Sequence, residues 1–118
     1  MASVASVFNL FRRNNGSNGK WHEVRWRNGP RHIVMSLRFA VDGTPDAPPA
    51  VERLSAAEGE GVGTVDDAQI VEHIRGAVAE YNRMNLCNLR VASVRVDAAA
   101  DAEPIDYGTA TRKMLNLL

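Results

Sequence analysis

The stretch KWHEVRWRNGPRHIVMSLRFAVD, residues 20–42, decides the fold. From residue 32 to 42 every odd position is apolar: Ile33, Met35, Leu37, Phe39 and Val41. The even positions are His32, Val34, Ser36, Arg38, Ala40 and Asp42. Alternation with a period of two marks a strand buried on one face. Upstream, Lys20–Arg27 is rich in strand formers, and Asn28-Gly29-Pro30-Arg31 supplies turn chemistry. Closing a hairpin across that turn sets Arg27 opposite His32. Val24 and Trp26 then join Met35 and Ile33 on the buried face. Trp21, Glu23, Arg25, Arg27, His32, Ser36 and Arg38 collect on the other. A slip of one residue would set Ile33, Met35 and Leu37 on the wrong side relative to Trp26, so the pattern fixes the register.

Towards the C-terminus, Asp42-Gly43-Thr44-Pro45-Asp46 reads as a turn, and Pro48-Pro49 stiffens the chain beyond it. Ala50–Leu54 is expected to be a short edge strand. A long helix is expected from Thr64, with Asp67 completing a variant capping box. Its apolar stripe is Ile70, Ile74, Ala77, Val78 and Tyr81, suited to lie on the sheet. Gly76 inside it costs about 1 kcal/mol relative to Ala, which predicts a close approach to the sheet there. Leu89–Val96 reads as a strand whose apolar phase shifts between Val91 and Val94, indicating either a bulge or burial on both faces. Residues 98–106 read as an acidic, Ala-rich loop ending at Pro104. Thr109–Leu118 reads as a closing helix with Ala110, Met114, Leu117 and Leu118 on one side.

Towards the N-terminus, Val4, Val7, Phe8 and Phe11 fall at helical spacing within residues 3–13, one face of an amphipathic helix. The run Asn14-Asn15-Gly16-Ser17-Asn18-Gly19 after it has the composition of a flexible tether. The expected organisation is an arm and tether over residues 1–19 and a single α+β domain over residues 20–118. That domain is expected to hold a mainly antiparallel sheet of three or four strands, covered on one face by the long helix, with a short C-terminal helix. The β-β-β-α-β-α order resembles the second-domain layout of a small-subunit ribosomal protein. The resemblance lies in element order alone and carries over no function.

The charge is sorted by position although it sums to zero over the 118 residues. Arg12, Arg13, Lys20, Arg25, Arg27, Arg31 and Arg38 face a single acid, Glu23, in residues 1–40. Residues 41–70 reverse this, with Asp42, Asp46, Glu52, Glu58, Glu60, Asp66 and Asp67 against Arg53. Sorted charge points to a surface that meets an opposite one. The zero net charge argues against a dedicated nucleic-acid binder, which usually carries an excess of Lys and Arg. One cysteine, Cys87, precludes an intrachain disulfide and is expected to be a buried, unreactive thiol. No apolar run approaches the roughly 20 residues that span a bilayer, so no membrane partner is expected.

No constellation of catalytic residues emerges. The glycines at 59, 61 and 63 precede a helix, as in a phosphate loop, but no Lys comes after them, and Glu58, Glu60, Asp66 and Asp67 would repel a phosphate. His22, His32 and His73, with Cys87, lack the spacing of a metal site. No cofactor, metal ion or catalytic residue is therefore expected. Two surfaces remain. One is the basic hairpin face of Lys20, Trp21, Arg25, Arg27, Arg31, His32 and Arg38. It suits a phosphate backbone, a protein partner, or plain solvated surface in which Trp21 and Arg38 form a cation–π pair. The other is the pair of apolar chain ends: Val4, Val7, Phe8 and Phe11 at the front, and Met114, Leu117 and Leu118 at the back. Apolar ends must bury themselves on their own core or on a neighbour. The function expected is a non-enzymatic structural subunit that forms a homo-oligomer or larger protein assembly through its apolar N-terminal arm and its charge-sorted faces, in the cytoplasm where it is made or in a phage or other virion. The alternative is a nucleic-acid-binding module using the hairpin face.

Overall fold

Trp21–Asn28 (β1) and Arg31–Phe39 (β2) form the expected hairpin in a computed structural model that describes residues 20–40, 47–54 and 65–118. Arg27 lies opposite His32, Trp26 opposite Ile33 and Val24 opposite Met35, the register that the alternation dictates. The two-residue turn is Gly29-Pro30, and Gly29 sits at φ 67°, a conformation that a side chain disfavours. A glycine at positive φ followed by a proline suits the tight turn that matches strand twist.

Two further strands complete the sheet, Ala50–Arg53 (β3) and Val91–Ala100 (β4), in the order β1-β2-β4-β3. β2 and β4 pair antiparallel, whereas β3 and β4 pair parallel. The sheet is thus mixed, not purely antiparallel. The reason lies in the connection: between β3 and β4 runs the helix Asp67–Asn85 (α1), long enough to carry the chain back to the same end of the sheet. The second helix, Pro104–Leu115 (α2), follows β4.

β4 resolves the phase shift in its sequence by two bulges. Register shifts fall between Arg38 and Phe39 and between Val34 and Met35, leaving Ala92 and Asp97 as extra residues on β4. The second bulge returns Ala99 to the core, so the strand runs on to Ala100 where a loop was expected. Asp101, at φ 53°, ends it. α2 likewise begins at Pro104 and not at Thr109. Proline is well placed in a first helical turn, where its missing N–H leaves no hydrogen bond unmade. The Glu103 backbone N–H donates to Asp106 Oδ2 at 2.8 Å, closing the cap.

The long helix starts after Asp66, two residues later than Thr64, which lies outside the described residues. The Asp66 N–H donates to Gln69 Oε1 at 3.4 Å. Ile70, Ile74, Ala77 and Val78 are buried as expected, and Tyr81 is partly buried against the same core. Gly76, by contrast, is exposed, and a Cβ there would meet nothing within 4 Å. The close approach occurs instead at Gly108 on α2, where a Cβ would lie 3.2 Å from the His73 carbonyl oxygen of α1. Both helices share one core with Val24, Ile33, Met35, Leu37 and Phe39. Among the described residues, Tyr107 of α2 is the largest fully buried side chain.

Candidate interaction surfaces

Side-chain alternation places the second sheet face away from that core. On it stand Trp21, Glu23, Arg25 and Arg27 from β1, His32, Val34, Ser36 and Arg38 from β2, Arg95 from β4 and Glu52 from β3. Cross-strand pairing sets Trp21 beside Arg38, whose guanidinium lies 5.1 Å from the ring centroid. Arg95, two strands away, lies closer, at 4.0 Å. Arg38 Nη2 also donates to Ser93 Oγ at 2.9 Å. Trp21 therefore meets two guanidiniums, the expected cation–π pair extended by one member.

The positive charge of this face is largely answered within the chain. Arg25 pairs with Glu23 at 2.9 Å, and Arg95 Nε lies 3.6 Å from Glu52. Asp97, the bulge residue, adds a carboxyl whose pKa is raised, first by burial and then by Glu23, with Arg95 and Arg25 opposing. Arg31 turns to the start of α2, 3.5 Å from Glu103 and 3.6 Å from the buried Asp106. It anchors a helix and does not extend a basic patch. Lys20 and Arg27 are exposed, and His32 is half-buried. Arg95, Glu52 and Asp97 are invisible to a reading confined to the hairpin, because only the sheet order brings β4 and β3 beside it.

The apolar chain ends divide. Val4, Val7, Phe8 and Phe11 lie outside the described residues. Met114 is buried in the chain's own core, whereas Leu117 and Leu118, beyond the last turn of α2, are 75% and 41% exposed. Three further large apolar side chains are exposed among the described residues: Ile105 in the first turn of α2, Met84 in the last turn of α1, and Leu86 just past it. Leu86 takes the left-handed conformation at φ 52° that ends the helix. Between the C-terminal halves of α1 and α2 runs a groove of about 230 Å³ lined by Tyr81, Met84, Arg112 and Leu115, among others. Arg112 Nη2 and Glu80 Oε1, 3.0 Å apart, tie the two helices together at this groove.

Cys87 sits in the turn after α1, half-buried, with its Sγ 3.3 Å from Asn82 Oδ1. Burial pushes its pKa up, and the thiol is half-buried where full burial was expected. Asn82 organises the turn, since its side chain both accepts from the Leu89 N–H at 3.0 Å and donates to the Leu89 carbonyl at 2.9 Å. Among the described residues no group of three or more His, Cys, Asp or Glu side chains is placed to hold a metal ion. None of the described helices is long and apolar enough to cross a membrane. Comparison with protein-family models, with curated proteins and with solved structures finds no match to this chain.

Proposed function

We propose that this chain is a non-enzymatic assembly subunit, joining copies of itself or a larger protein assembly through apolar contacts. A multi-copy particle such as a virion, or its precursor in the cytoplasm, is the setting that suits it. The observation carrying this reading is the contrast between its two surfaces. The hairpin's basic side chains are mostly engaged by acids and by Trp21 of the same chain. Met84, Leu86 and Leu117 remain solvent-exposed, where large apolar groups are an unspent source of association energy. Removing residues 1–15 tests it: the truncated chain should keep its thermal transition and drop to a lower oligomeric order in sedimentation. A truncated chain that unfolds would make the N-terminal segment part of its own core.

A second reading, a nucleic-acid-binding module, is favoured by Trp21 lying beside Arg38 and Arg95 on the sheet face that no described helix covers. Stacking on an aromatic beside guanidiniums suits single strands. The reading expects binding of about micromolar affinity at low salt, lost in Arg25→Glu/Arg27→Glu. Titration against single-stranded and duplex nucleic acid checks it, and no binding by the parent chain would exclude it.

A further inference from the structure

The register and the helix anchors together locate every chain end. Trp21 lies opposite Arg38, Arg38 opposite Ser93 and Ser93 opposite Ala50, so β1, β3 and β4 begin at the same end of the sheet. α1 starts at the other end, where Arg53, the last residue of β3, holds Asp67 at 2.7 Å. It finishes where Asn82 holds Leu89, just before β4 begins. α2 starts where Arg31, the first residue of β2, meets Glu103 and Asp106. By Lys113 it has come level with the middle of β1, since the ammonium donates to the Arg25 carbonyl at 2.7 Å. α1 therefore ends at the end of the sheet where β1 begins, and Arg112, Leu115 and Asn116 of α2 lie beside its last turns, so Met84 and Leu86 stand at the end of the sheet where Trp21 opens β1.

Resting on the assembly reading, we propose that the groove between the C-terminal halves of α1 and α2 receives the Val4–Phe11 segment of a neighbouring copy. The segment's pattern, Val4, Val7, Phe8 and Phe11, offers one apolar stripe about 10 Å long if helical, matching the Ala77–Asn85 stretch of α1 that lines the groove. The six residues that precede Lys20 span at most about 20 Å, enough to leave one domain and enter an adjacent one. Met84 gives the groove an adaptable wall. Reciprocal exchange between two copies would fill both grooves in a closed, two-fold arrangement, with no apolar stripe left over.

Met84→Glu in the groove wall, combined with Leu117→Glu next to the lining residue Asn116, tests the groove at exposed positions, where the fold should survive and a thermal melt verifies that it does. The double variant should sediment as a monomer while the parent chain does not. A monomeric parent would defeat the assembly reading and this inference with it. A double variant that keeps the parent's mass would defeat this inference alone. Disulfide trapping then identifies the occupant, with Cys87→Ser in both chains to remove the native thiol. One chain carries Phe8→Cys, a differently tagged chain carries Leu117→Cys, and mild oxidation of the mixture should yield the cross-chain pair. Absence of that pair, or closure of a chain carrying both cysteines at monomer mass, would overturn the proposal.

Discussion

Leu37 has no exposed surface, and it stands on β2 between Met35 and Phe39 in the core shared with Ile70, Ile74 and Val78. Truncating it leaves a cavity as well as losing transfer energy, so Leu37→Ala should cost about 2–5 kcal/mol in denaturant unfolding. A loss below about 1 kcal/mol would mean that this face is not the core. Asp97 makes the opposite kind of prediction. Its pKa is raised in the folded chain, chiefly by burial, so the folded state holds the proton more tightly than the unfolded one. Above that raised pKa the charged carboxylate destabilises the fold, and the penalty fades as pH falls towards the ordinary aspartate range. Asp97→Asn should therefore raise the melting temperature at neutral pH, with the gain shrinking in acid. A gain that grows in acid would reverse the assignment. Leu37 is legible from the alternation. Asp97 is not, because its environment is made by Glu23 of β1 and by a bulge that only pairing with β2 reveals.

Among the elements, the hairpin register and the buried stripe of α1 can be read from period alone, since each is a local repeat facing one core. Pro104 misleads, because a proline serves as well to open a helix as to close a loop. With α2 begun too late, Tyr107 disappears from the expected core. The alanines at 98–100 mislead for a related reason: alanine is a weak strand former, and their pairing with His32, Ile33 and Val34 supplies what propensity does not. Gly76 separates local cost from tertiary need. Nothing approaches its Cα closely enough to exclude a methyl group. Gly76→Ala should thus stabilise the chain by about 0.5–1 kcal/mol, through helix propensity and a less flexible unfolded state. Thermal or denaturant unfolding checks it, and destabilisation would show that the glycine serves a contact.

For the whole molecule, the sorting of charge along the sequence turns into compensation across the fold. Arg31 finds Glu103 and Asp106 from beyond residue 100, and Arg95 finds Glu52 from the acidic middle. Position along the chain suggests a basic face; the sheet order β1-β2-β4-β3 interleaves acids with it. The two helix ends show the converse. Met84 and Leu86 carry no signal in the sequence, being isolated apolar residues in a polar run. The topology sets both at the end of the sheet from which the N-terminal segment departs. Whether these apolar surfaces join chains is decided by the mass of the protein in solution. Light scattering of the full chain across a range of concentrations should give a mass well above the 12.9 kDa of one chain. It should fall in Met84→Glu/Leu117→Glu and hold in high salt, where apolar contacts persist and exposed charge pairs are screened. A mass of one chain at every concentration would contradict it.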